Sequence, residues 1–432
     1  MEEWSSRLGF ILASIGSAVG IGNIWRFSTV VGQNGGGAYL IPYLCAVLLV
    51  ALPLMILEMT AGQRIRGSVV TAFQSGGGPL RQAGWIVGII VTLILSYYLV
   101  ITGWTLGYLV SSVSGTSRVF AEFTGSYEPV SFFVASAVLC GAIIAFGVRK
   151  GIERITSLLV PGIFLILIGM VAVSVRQPGF ADGMAYFLSP DFSVLADPVI
   201  WSAAIGQAFF SLSVGYGTLL TYGAYLGSGE RIPRSAAIVT AADLTVALLA
   251  GTVIFPIVFT FGLEPSAGPE LAFTTLPLAF GLMPFGGGVA VAFFLLLFFA
   301  AVSSAISFLE VPVMTVAERF GLSRRRSTAM VTGGLILLGL PAALSYSAAG
   351  LTLWGVPVLD LQDEVFGTIG LSVAGLLIAI AFSWYFDEER LWGDRRTRHL
   401  LIRPLPVLCR YVIPAALVFA TGFRIAYLLV PG

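Results

Sequence analysis

This sequence carries unusually little charge. Only 10% of its 432 residues are charged and 57% are hydrophobic, whereas a soluble domain has roughly 25% charged residues. The net charge of +1 provides no basic surface for nucleic acid, so we expect no nucleic-acid partner. Because the apolar excess extends over the whole chain, a single buried core helix does not explain it.

Histidine and cysteine are also scarce, which argues against catalytic or metal chemistry. The single histidine, His399, lies among arginines in a polar segment, and no Ser/His/Asp arrangement or metal-ligand cluster accompanies it. The three cysteines, Cys45, Cys140 and Cys409, lie in or beside apolar runs. We expect them to be small buried side chains rather than disulfides or ligands, and we do not expect an enzyme.

Long apolar segments dominate the rest of the chain. About 20 apolar residues span the roughly 30 Å of hydrocarbon in a bilayer. We predict eleven such spans, at residues 8–31, 37–62, 83–113, 130–147, 155–175, 199–225, 235–263, 286–318, 327–346, 364–385 and 407–430. The predicted fold class is therefore all-α and integral to the membrane, with one transmembrane domain over residues 1–432 in contact with the lipid bilayer.

Positively charged residues are distributed unequally between the connecting loops. Alternate loops hold most of them: Arg64, Arg66, Arg81, Arg149, Lys150, Arg154, Arg231, Arg234, Arg319, Arg324, Arg325, Arg326, Arg390, Arg395, Arg396, Arg398 and Arg403. The other loops hold little more than Arg118 and Arg176. Since cytoplasmic loops are enriched in Arg and Lys, we predict a multi-pass protein of the cell membrane. Its N-terminus would be cytoplasmic and, with an odd number of spans, its C-terminus extracellular.

Two of the spans contain glycine and small polar residues at mid-membrane depth. The first span reads SIGSAVGIGN at residues 14–23, and the sixth reads FSLSVGYG at residues 210–217. One interpretation is close helix packing through small residues. The other is a pair of discontinuous helices that line a binding site, because broken backbone in a membrane must be buried against protein or face a wet cavity.

Several motifs in these segments resemble those of the neurotransmitter:sodium symporter family, in its prokaryotic amino-acid transporter branch. The motifs are WSSRLG at 4–9, GSAVGIGNIWRF at 16–27, NGGGAYLIPY at 34–43, SYY at 96–98, GWTLG at 103–107, GQAFFSLS at 206–213 and GTIG at 367–370. The resemblance covers residues 4 to about 385. It implies a 5+5 inverted-repeat fold with discontinuous helices 1 and 6, its repeats at about 8–175 and 199–385, and an extra helix at 407–430.

The resemblance also implies two bound sodium ions. A hard cation such as sodium prefers several oxygen ligands. The residues implied for the first site are Ala18, Asn23, Ser211 and Asp243. Those implied for the second site are Gly16, Val19, Ala300, Ser303 and Ser304.

Asp243 stands out even without the resemblance. It lies inside the apolar run at 241–248, and a carboxylate in a membrane segment is costly unless it has a partner. Tyr43, Gln207 and Ser211 match chloride-site positions of animal members, and Ala247 replaces the serine of chloride-dependent ones. We hypothesise that Asp243 supplies the negative charge instead, which would make transport independent of chloride.

For the substrate, the resemblance implies a pocket with one ion-binding end and one apolar end. Its residues are Ser17, Ala18, Gly20, Ile21, Gly22, Ile94, Tyr98, Phe210, Ser211, Ser213, Tyr216 and Phe308. Gly20 replaces the aspartate of monoamine carriers and leaves space for a substrate carboxylate, which favours an amino acid. Tyr216 and Phe308 are bulky, and they either restrict the volume or stack on an aromatic substrate.

An outer gate and a flexible fifth span are implied as well. Arg26 ends the first span and Asp363 opens the tenth, and the resemblance pairs them above the pocket, directly or through water. Gly151 and Pro161, with nine residues between them, match a motif that unwinds the fifth span and lets water reach the second sodium site. Proline removes a helical hydrogen bond, so unwinding there is physically reasonable.

The inner gate is less complete in this sequence. Trp4 and Glu318 match two of its members. The arginine of relatives falls on Met1, so either this feature is missing or the sequence is shorter than its relatives at this end. Arg7 or the terminal amine could substitute for it.

These features predict a sodium-coupled symporter that imports a small amino acid by alternating access. Three alternatives stay open at this point: a non-transporting amino-acid sensor of the same fold, a proton-coupled carrier and a sodium channel. The sequence leaves undetermined which amino acid is carried, the sodium stoichiometry and the oligomeric state.

Overall fold

A computed structural model describes residues 2–76, 78–116, 118–190, 192–227, 229–264, 271–393 and 403–429. Met1, His399, Arg395, Arg396 and Arg398 lie outside these ranges. Within them, nine continuous helices are long and apolar enough to cross a membrane, and a tenth span consists of two helices with a 52° bend between them. A further span consists of two shorter helices. The predicted all-α membrane fold is confirmed.

The helices follow one another in the predicted order. The first span consists of Arg7–Ala18 and Gly22–Gln33, and the second to fifth are Gly36–Ile65, Ala83–Val113, Glu128–Ala145 and Val148–Ser174. The sixth span consists of Pro198–Ser211 and Thr218–Ala224. The seventh to eleventh are Ile232–Thr260, Gly286–Phe320, Arg324–Ser345, Val358–Tyr385 and Leu405–Ala426.

Shorter elements occupy the connections. They are the helices Val69–Gly76, Phe120–Thr124, Phe180–Leu188, Leu276–Leu282 and Glu388–Trp392, and a small antiparallel hairpin of Thr352–Leu353 and Val356–Pro357. The predicted span boundaries differ most at the starts of the fifth span, at 148 instead of 155, and of the tenth, at 358 instead of 364.

The third and eighth spans form the centre of the bundle. They have 31 and 35 residues, and at about 1.5 Å per residue both are longer than the hydrocarbon core is thick. They pack against each other more extensively than any other pair of described helices. Around them, spans such as the fifth expose large apolar side chains, including Leu158, Leu165 and Ile168. Such an apolar exterior suits lipid rather than water.

The fifth span is helical throughout, so the predicted unwinding between Gly151 and Pro161 is wrong for this conformation. It begins as a π-helix at Val148–Glu153 and continues as an α-helix through Pro161. A side chain at Gly151 would lie 2.1 Å from the backbone oxygen of Ile143. The glycine therefore permits close packing against the fourth span, rather than a break.

Candidate functional site

The first span breaks at residues 19–21, and its freed backbone groups find partners in the sixth and eighth spans. Val19 has extended backbone angles, which ends the first helix after Ala18. The carbonyl oxygen of Ser17 accepts hydrogen bonds from Ser213 at 2.7 Å and Ser304 at 3.2 Å. Because buried backbone groups need partners, these side chains make the break stable.

The sixth span breaks at residues 212–217. Ser213, Gly215 and Gly217 have positive φ angles of 51°, 87° and 72°, a conformation that favours glycine. The amide of Gly215 donates to Glu58 of the second span at 2.6 Å, so a buried acidic side chain supports this break. Both predicted discontinuous helices are confirmed, and they lie five spans apart.

A buried cluster of polar side chains joins the first, sixth and seventh spans beside the breaks. We call Asn23, Ser211 and Asp243 the carboxylate cluster. The Asn23 amide nitrogen donates to Ser211 at 2.8 Å and to Asp243 at 2.5 Å. The Ser211 hydroxyl lies 3.0 Å from both carboxylate oxygens of Asp243. All three side chains are fully buried, so the predicted members of the first sodium site lie together.

The chemistry of the carboxylate cluster suits a small cation. The Asn23 amide nitrogen lies between the oxygens of Ser211 and Asp243, where a cation would be attracted. The side-chain oxygen of Asn23 accepts a hydrogen bond from the backbone amide of Gly20 at 3.0 Å. Rotating that amide would place a third oxygen beside Ser211 and Asp243. A group of oxygens with one carboxylate is a donor set that binds sodium well. Ala18, the fourth predicted member, is the last residue of the first helix.

The predicted charge-site residues border the same cluster. The Tyr43 hydroxyl donates to Ser211 at 3.2 Å, and the Gln207 amide donates to the carbonyl oxygen of Gly22 at 3.0 Å. The Gln207 side-chain oxygen is buried and has no hydrogen-bond partner among the described residues. Asp243 contributes the carboxyl group of this region through its contacts with Ser211.

A second group of oxygens lies between the first and eighth spans. We call Ser303 and Ser304, with the carbonyl groups around them, the hydroxyl cluster. Ser303 lies 3.5 Å from the carbonyl oxygen of Val19 and 3.0 Å from that of Ala300, and Ser304 lies 3.4 Å from that of Gly16. All five residues predicted for the second sodium site thus meet. Their neutral oxygens would hold a sodium ion without a carboxylate.

Two glycines keep the substrate region open at the first break. A side chain at Gly20 would lie 2.6 Å from the Ser304 hydroxyl and 3.3 Å from the Tyr98 hydroxyl. A side chain at Gly22 would lie 2.5 Å from the Phe210 ring. Gly20 therefore lies directly against the hydroxyl cluster and Tyr98. An acidic side chain would not fit there.

The predicted apolar end is built from aromatic rings. Tyr216 and Phe308 stack with ring centroids 4.5 Å apart and planes 12° apart, and Tyr98 meets Phe308 edge-on at 5.5 Å. Ile94 is fully buried. Tyr216 and Phe308 therefore contact each other in this conformation.

A cavity of about 960 Å³ lies at the end of the bundle opposite the N-terminus, which we call the far end. It is lined by Ile21, Gly22 and Tyr98 from the pocket, and by Phe210, Arg26 and Asp363. The Arg26 guanidinium lies over the Phe210 ring, 4.2 Å from its centroid, a favourable cation–π geometry. The cavity thus leads from the far end towards the substrate region.

Arg26 and Asp363 line the same cavity without a direct ion pair between them. Asp363 instead accepts a hydrogen bond from Tyr97 at 2.8 Å, and the ion pairs of the described residues do not join it to Arg26. Gly367 makes the Tyr97 contact possible, since a side chain there would lie 2.2 Å from the Tyr97 hydroxyl. In this conformation Arg26 and Asp363 thus have separate partners.

The end of the bundle near the N-terminus, which we call the near end, is closed, and the predicted inner-gate residues Trp4 and Glu318 both lie there. Trp4 is buried and donates to the carbonyl oxygen of Tyr222 at 3.0 Å. Glu318 accepts from the backbone of Ser68 at 2.9 Å and is not paired with Arg7, which contacts Glu230. Of the two replacements considered for the arginine of relatives, Arg7 is bound to Glu230, and the terminal amine of Met1 lies outside the described residues.

The ion pair that closes the near end is one that the sequence reasoning missed. Arg324 at the start of the ninth span binds both carboxylate oxygens of Glu310, at 2.6 and 3.0 Å. Glu310 also accepts from the Tyr225 hydroxyl at 2.5 Å and is fully buried. An acid inside an apolar run was the signal that identified Asp243, and it applies equally to Glu310 and Glu58.

Comparison with known proteins agrees with this geometry. The sequence profile of the sodium:neurotransmitter symporter family matches residues 1–120 and 122–426. The chain belongs to this family. It is therefore a multi-pass sodium-dependent transporter and not an enzyme, and the family and fold predicted from the sequence are confirmed.

Relatives and solved structures resemble the chain over nearly its whole length. An uncharacterized sodium-dependent transporter of Bacillus subtilis is 34% identical over 437 residues, with 96% of each chain covered. One from Haemophilus influenzae is 33% identical over 412 residues, with 90% of each chain covered. The crystal structure of MhsT in complex with L-phenylalanine has a TM-score of 0.90 at 37% identity, covering 98% of this chain and 99% of that one.

Proposed function

We propose that this transporter is a symporter that carries a small amino acid into the cell together with sodium, by alternating access. The observation that carries the proposal is the carboxylate cluster, a fully buried Asp243 held by Asn23 and Ser211 directly beside two broken helices. A carboxylate at this depth without a basic partner attracts a cation. The solved structure of a similar protein, MhsT, contains L-phenylalanine, which supports an amino acid as substrate.

Two sodium ions would bind, one at each cluster. At the carboxylate cluster, the substrate carboxylate would complete the shell of oxygens, so that ion and substrate each strengthen the binding of the other. At the hydroxyl cluster, an ion would bridge the break in the first span to the eighth span through Val19 and Ser303. Each ion would thereby favour the conformation in which these spans are close.

Transport would not require chloride. The Tyr43 and Ser211 hydroxyl groups, which could attract an anion, already interact with each other and with Asp243. A second anion beside this buried carboxylate would be repelled. Chloride that stimulated uptake at a fixed sodium concentration would contradict this part of the proposal.

The near end would face the cytoplasm of the cell and the far end the exterior, as the distribution of arginines indicates. With this orientation, the cavity lined by Arg26 and Asp363 opens to the outside. Amino acids would enter through it and meet the backbone amides of Ile21 and Gly22 at the start of a helix. A helix N-terminus carries partial positive charge and suits a carboxylate.

The test is uptake by purified protein in proteoliposomes. A mixture of the twenty amino acids is supplied with an inward gradient of sodium, with an inward gradient of protons, or with neither. We expect accumulation of one or a few amino acids with the sodium gradient alone. Asp243→Asn should strongly reduce this accumulation at a sodium concentration that is half-maximal for the wild type, whereas Asp182→Asn, at an exposed position, should leave it unchanged.

Other outcomes select the alternatives. Sodium-dependent binding without accumulation would identify a sensor rather than a carrier. Accumulation driven by protons and indifferent to sodium would overturn both sodium sites while leaving the fold intact. Sodium flux that proceeds without any amino acid would indicate a channel.

A further inference from the structure

The start of the tenth span carries three acidic side chains, Asp360, Asp363 and Glu364. Each of them is bound to a different neighbour in the bundle. Asp360 accepts hydrogen bonds from the Tyr346 hydroxyl at 3.0 and 3.1 Å, and Asp363 accepts one from Tyr97 of the third span at 2.8 Å. Among the ion pairs of the described residues, Glu364 is the one of these three acids that has a cationic partner.

The cationic partner of Glu364 is Arg424 of the eleventh span. Its guanidinium donates to both carboxylate oxygens of Glu364, at 2.8 and 2.6 Å. Such a two-point contact fixes the relative geometry of both side chains. Ser202 of the sixth span also donates to the carbonyl oxygen of Ala420 at 3.3 Å. The eleventh span is therefore attached to both the sixth and the tenth spans at the far end.

This ion pair lies at the edge of the cavity that contains the gate residues. Arg26, Asp363 and Arg424 all line the cavity, whereas Glu364 is not among its lining residues. The charges of Arg26 and Asp363 both act on the Tyr97 hydroxyl, so these two residues are near neighbours although no ion pair joins them. A second cation and a second acid thus lie beside the gate.

Glu364 is placed to compete with Asp363 for a cation. The two residues are consecutive, so their Cα atoms are about 3.8 Å apart, and the glutamate side chain is longer by one methylene group. Without its own partner, Glu364 could therefore reach a cation that approaches Asp363. By the same reasoning, an unbound Arg424 would compete with Arg26 for the Asp363 carboxylate, since both cations line the same cavity.

We propose that the Arg424–Glu364 ion pair determines the pairing of the outer gate, because it withholds one acid and one cation from Arg26 and Asp363. Arg424 and Glu364 are positioning residues, which act through the gate pair. The inference rests on the proposed function, since the gate pair forms only when the far end closes during alternating access. It gives the eleventh span, which lies outside the two predicted repeats, a part in gating.

Removing one or both of these charges tests the inference. Arg424→Gln releases Glu364, and Glu364→Gln releases Arg424, so each single variant creates a wrong partner for the gate. The two side chains are 40% and 26% exposed, and an ion pair of this kind changes an equilibrium by up to roughly fivefold. We expect sodium-driven uptake of amino acids into proteoliposomes to slow by about two- to fivefold in each single variant. The double variant contains neither competitor, so its uptake should return to the wild-type rate.

Ionic strength provides a measurement that a merely structural role would not change. Salt screens contacts between exposed charges. Uptake by the single variants, relative to the wild type, should therefore rise when choline gluconate is added at a constant sodium concentration. Arg118→Gln is the matched control, because it removes the partner of Glu128 in another partly exposed ion pair, and neither residue lines the cavity. Its uptake should equal that of the wild type at every ionic strength.

The outcomes separate the inference from the proposed function. A double variant that is no faster than either single variant would show a purely structural ion pair and overturn the inference. Single variants as fast as the wild type would also overturn it. Arg424→Lys keeps the cation and should transport nearly as fast as the wild type, and it replaces Arg424→Gln in the comparison with Glu364→Gln if that variant fails to fold. Absence of sodium-driven uptake by the wild type for each of the twenty amino acids would instead overturn the proposed function.

Discussion

The two ends of the bundle differ in how their charged residues are paired. At the near end, Arg324 and Glu310 bind each other through two hydrogen bonds, with Glu310 fully buried. At the far end, Arg26 lies over an aromatic ring and Asp363 binds a tyrosine hydroxyl, and a cavity of about 960 Å³ separates the helices. The near end is closed and the far end is open.

This difference shows how one end could open while the other closes. Arg26 and Asp363 carry the charges that would pair if the far end closed. Each now has a weaker partner, Phe210 for Arg26 and Tyr97 for Asp363. Closing would require them to leave these partners and bind each other. Opening the near end requires breaking a buried pair, which is costly unless other contacts compensate. The carboxylate and hydroxyl clusters lie between the two ends, where a bound cation could change the balance.

The largest effect is expected from the carboxylate cluster. Asp243→Asn removes the negative charge that accepts hydrogen bonds from Asn23 and Ser211. Hydrogen bonds to a charged group are worth about 1.5–3 kcal/mol each. We expect the sodium concentration for half-maximal uptake to rise by about 10- to 100-fold, measured by sodium titration of uptake. A half-maximal concentration within a factor of two of the wild type would contradict the assignment of this cluster to sodium.

The next largest effect concerns the near end. Glu310→Gln removes the buried carboxylate partner of Arg324, whose other acidic neighbour, Glu2, is more exposed and 3.7 Å away. Breaking a buried ion pair costs about 3–5 kcal/mol. We expect the near end to open and the protein to lose thermal stability in detergent. The matched control is Glu364→Gln, which removes the partner of Arg424 at the far end. Since those side chains are 26% and 40% exposed, we expect a change below about 1 kcal/mol. Equal losses of thermal stability in Glu310→Gln and Glu364→Gln would contradict the claim that the ion pair at the near end is the stronger of the two.

A smaller effect is expected from Gly367 at the far end. In Gly367→Ala, the new side chain would lie 2.2 Å from the Tyr97 hydroxyl and 2.6 Å from Asp363, so the hydrogen bond between these residues must break. Loss of one hydrogen bond corresponds to about 1 kcal/mol, and we expect uptake to slow by a few-fold. Gly169→Ala, which has open space around it, is the control. Uptake as fast as in the control would show that Tyr97 does not hold Asp363 in the open state.

The smallest effect is expected from Glu3 on the surface of the near end. The Arg66 side chain, through a hydrogen bond and its charge, lowers the pKa of Glu3 below the ordinary value. A carboxyl group whose pKa is lowered by folding stabilises the folded state at every pH above its ordinary pKa. This stabilisation is lost as the pH falls through the lowered pKa of the folded state. Glu3→Gln should therefore reduce thermal stability slightly and equally at pH 7 and pH 6. The difference should disappear only under strongly acidic conditions. A difference that already disappears at pH 6 would contradict the lowered pKa.

The helices and the ion clusters could be predicted from the sequence because each depends on local patterns. Apolar runs determine the spans, and glycines beside small polar residues mark both breaks. Asp243 could be identified because an acidic side chain inside an apolar run is costly unless it has a partner. The same signal at Glu58 and Glu310 was overlooked, although Glu58 supports the sixth-span break and Glu310 closes the near end.

The pairing of the gates could not be predicted, because it depends on conformation and on competing partners. Arg26 and Asp363 have the right charges but contact Phe210 and Tyr97 here. Arg7 was one candidate for the inner gate, and it pairs with Glu230. Helical structure across Gly151 and Pro161 is also decided by tertiary contacts, since Glu153 accepts hydrogen bonds from Ser5 and Ser6 of the N-terminal segment.

The most direct test of the account is whether sodium decides which end is accessible. In a variant without native cysteines, single cysteines are introduced by Tyr222→Cys at the near end and by Thr368→Cys in the cavity, and their reaction with a hydrophilic thiol reagent is followed. With sodium, we predict that the near-end cysteine at position 222 is protected and that the cavity cysteine at position 368 reacts. When potassium replaces sodium, the near-end cysteine becomes reactive. Equal reactivity of the near-end cysteine in both salts would contradict the claim that sodium controls alternating access.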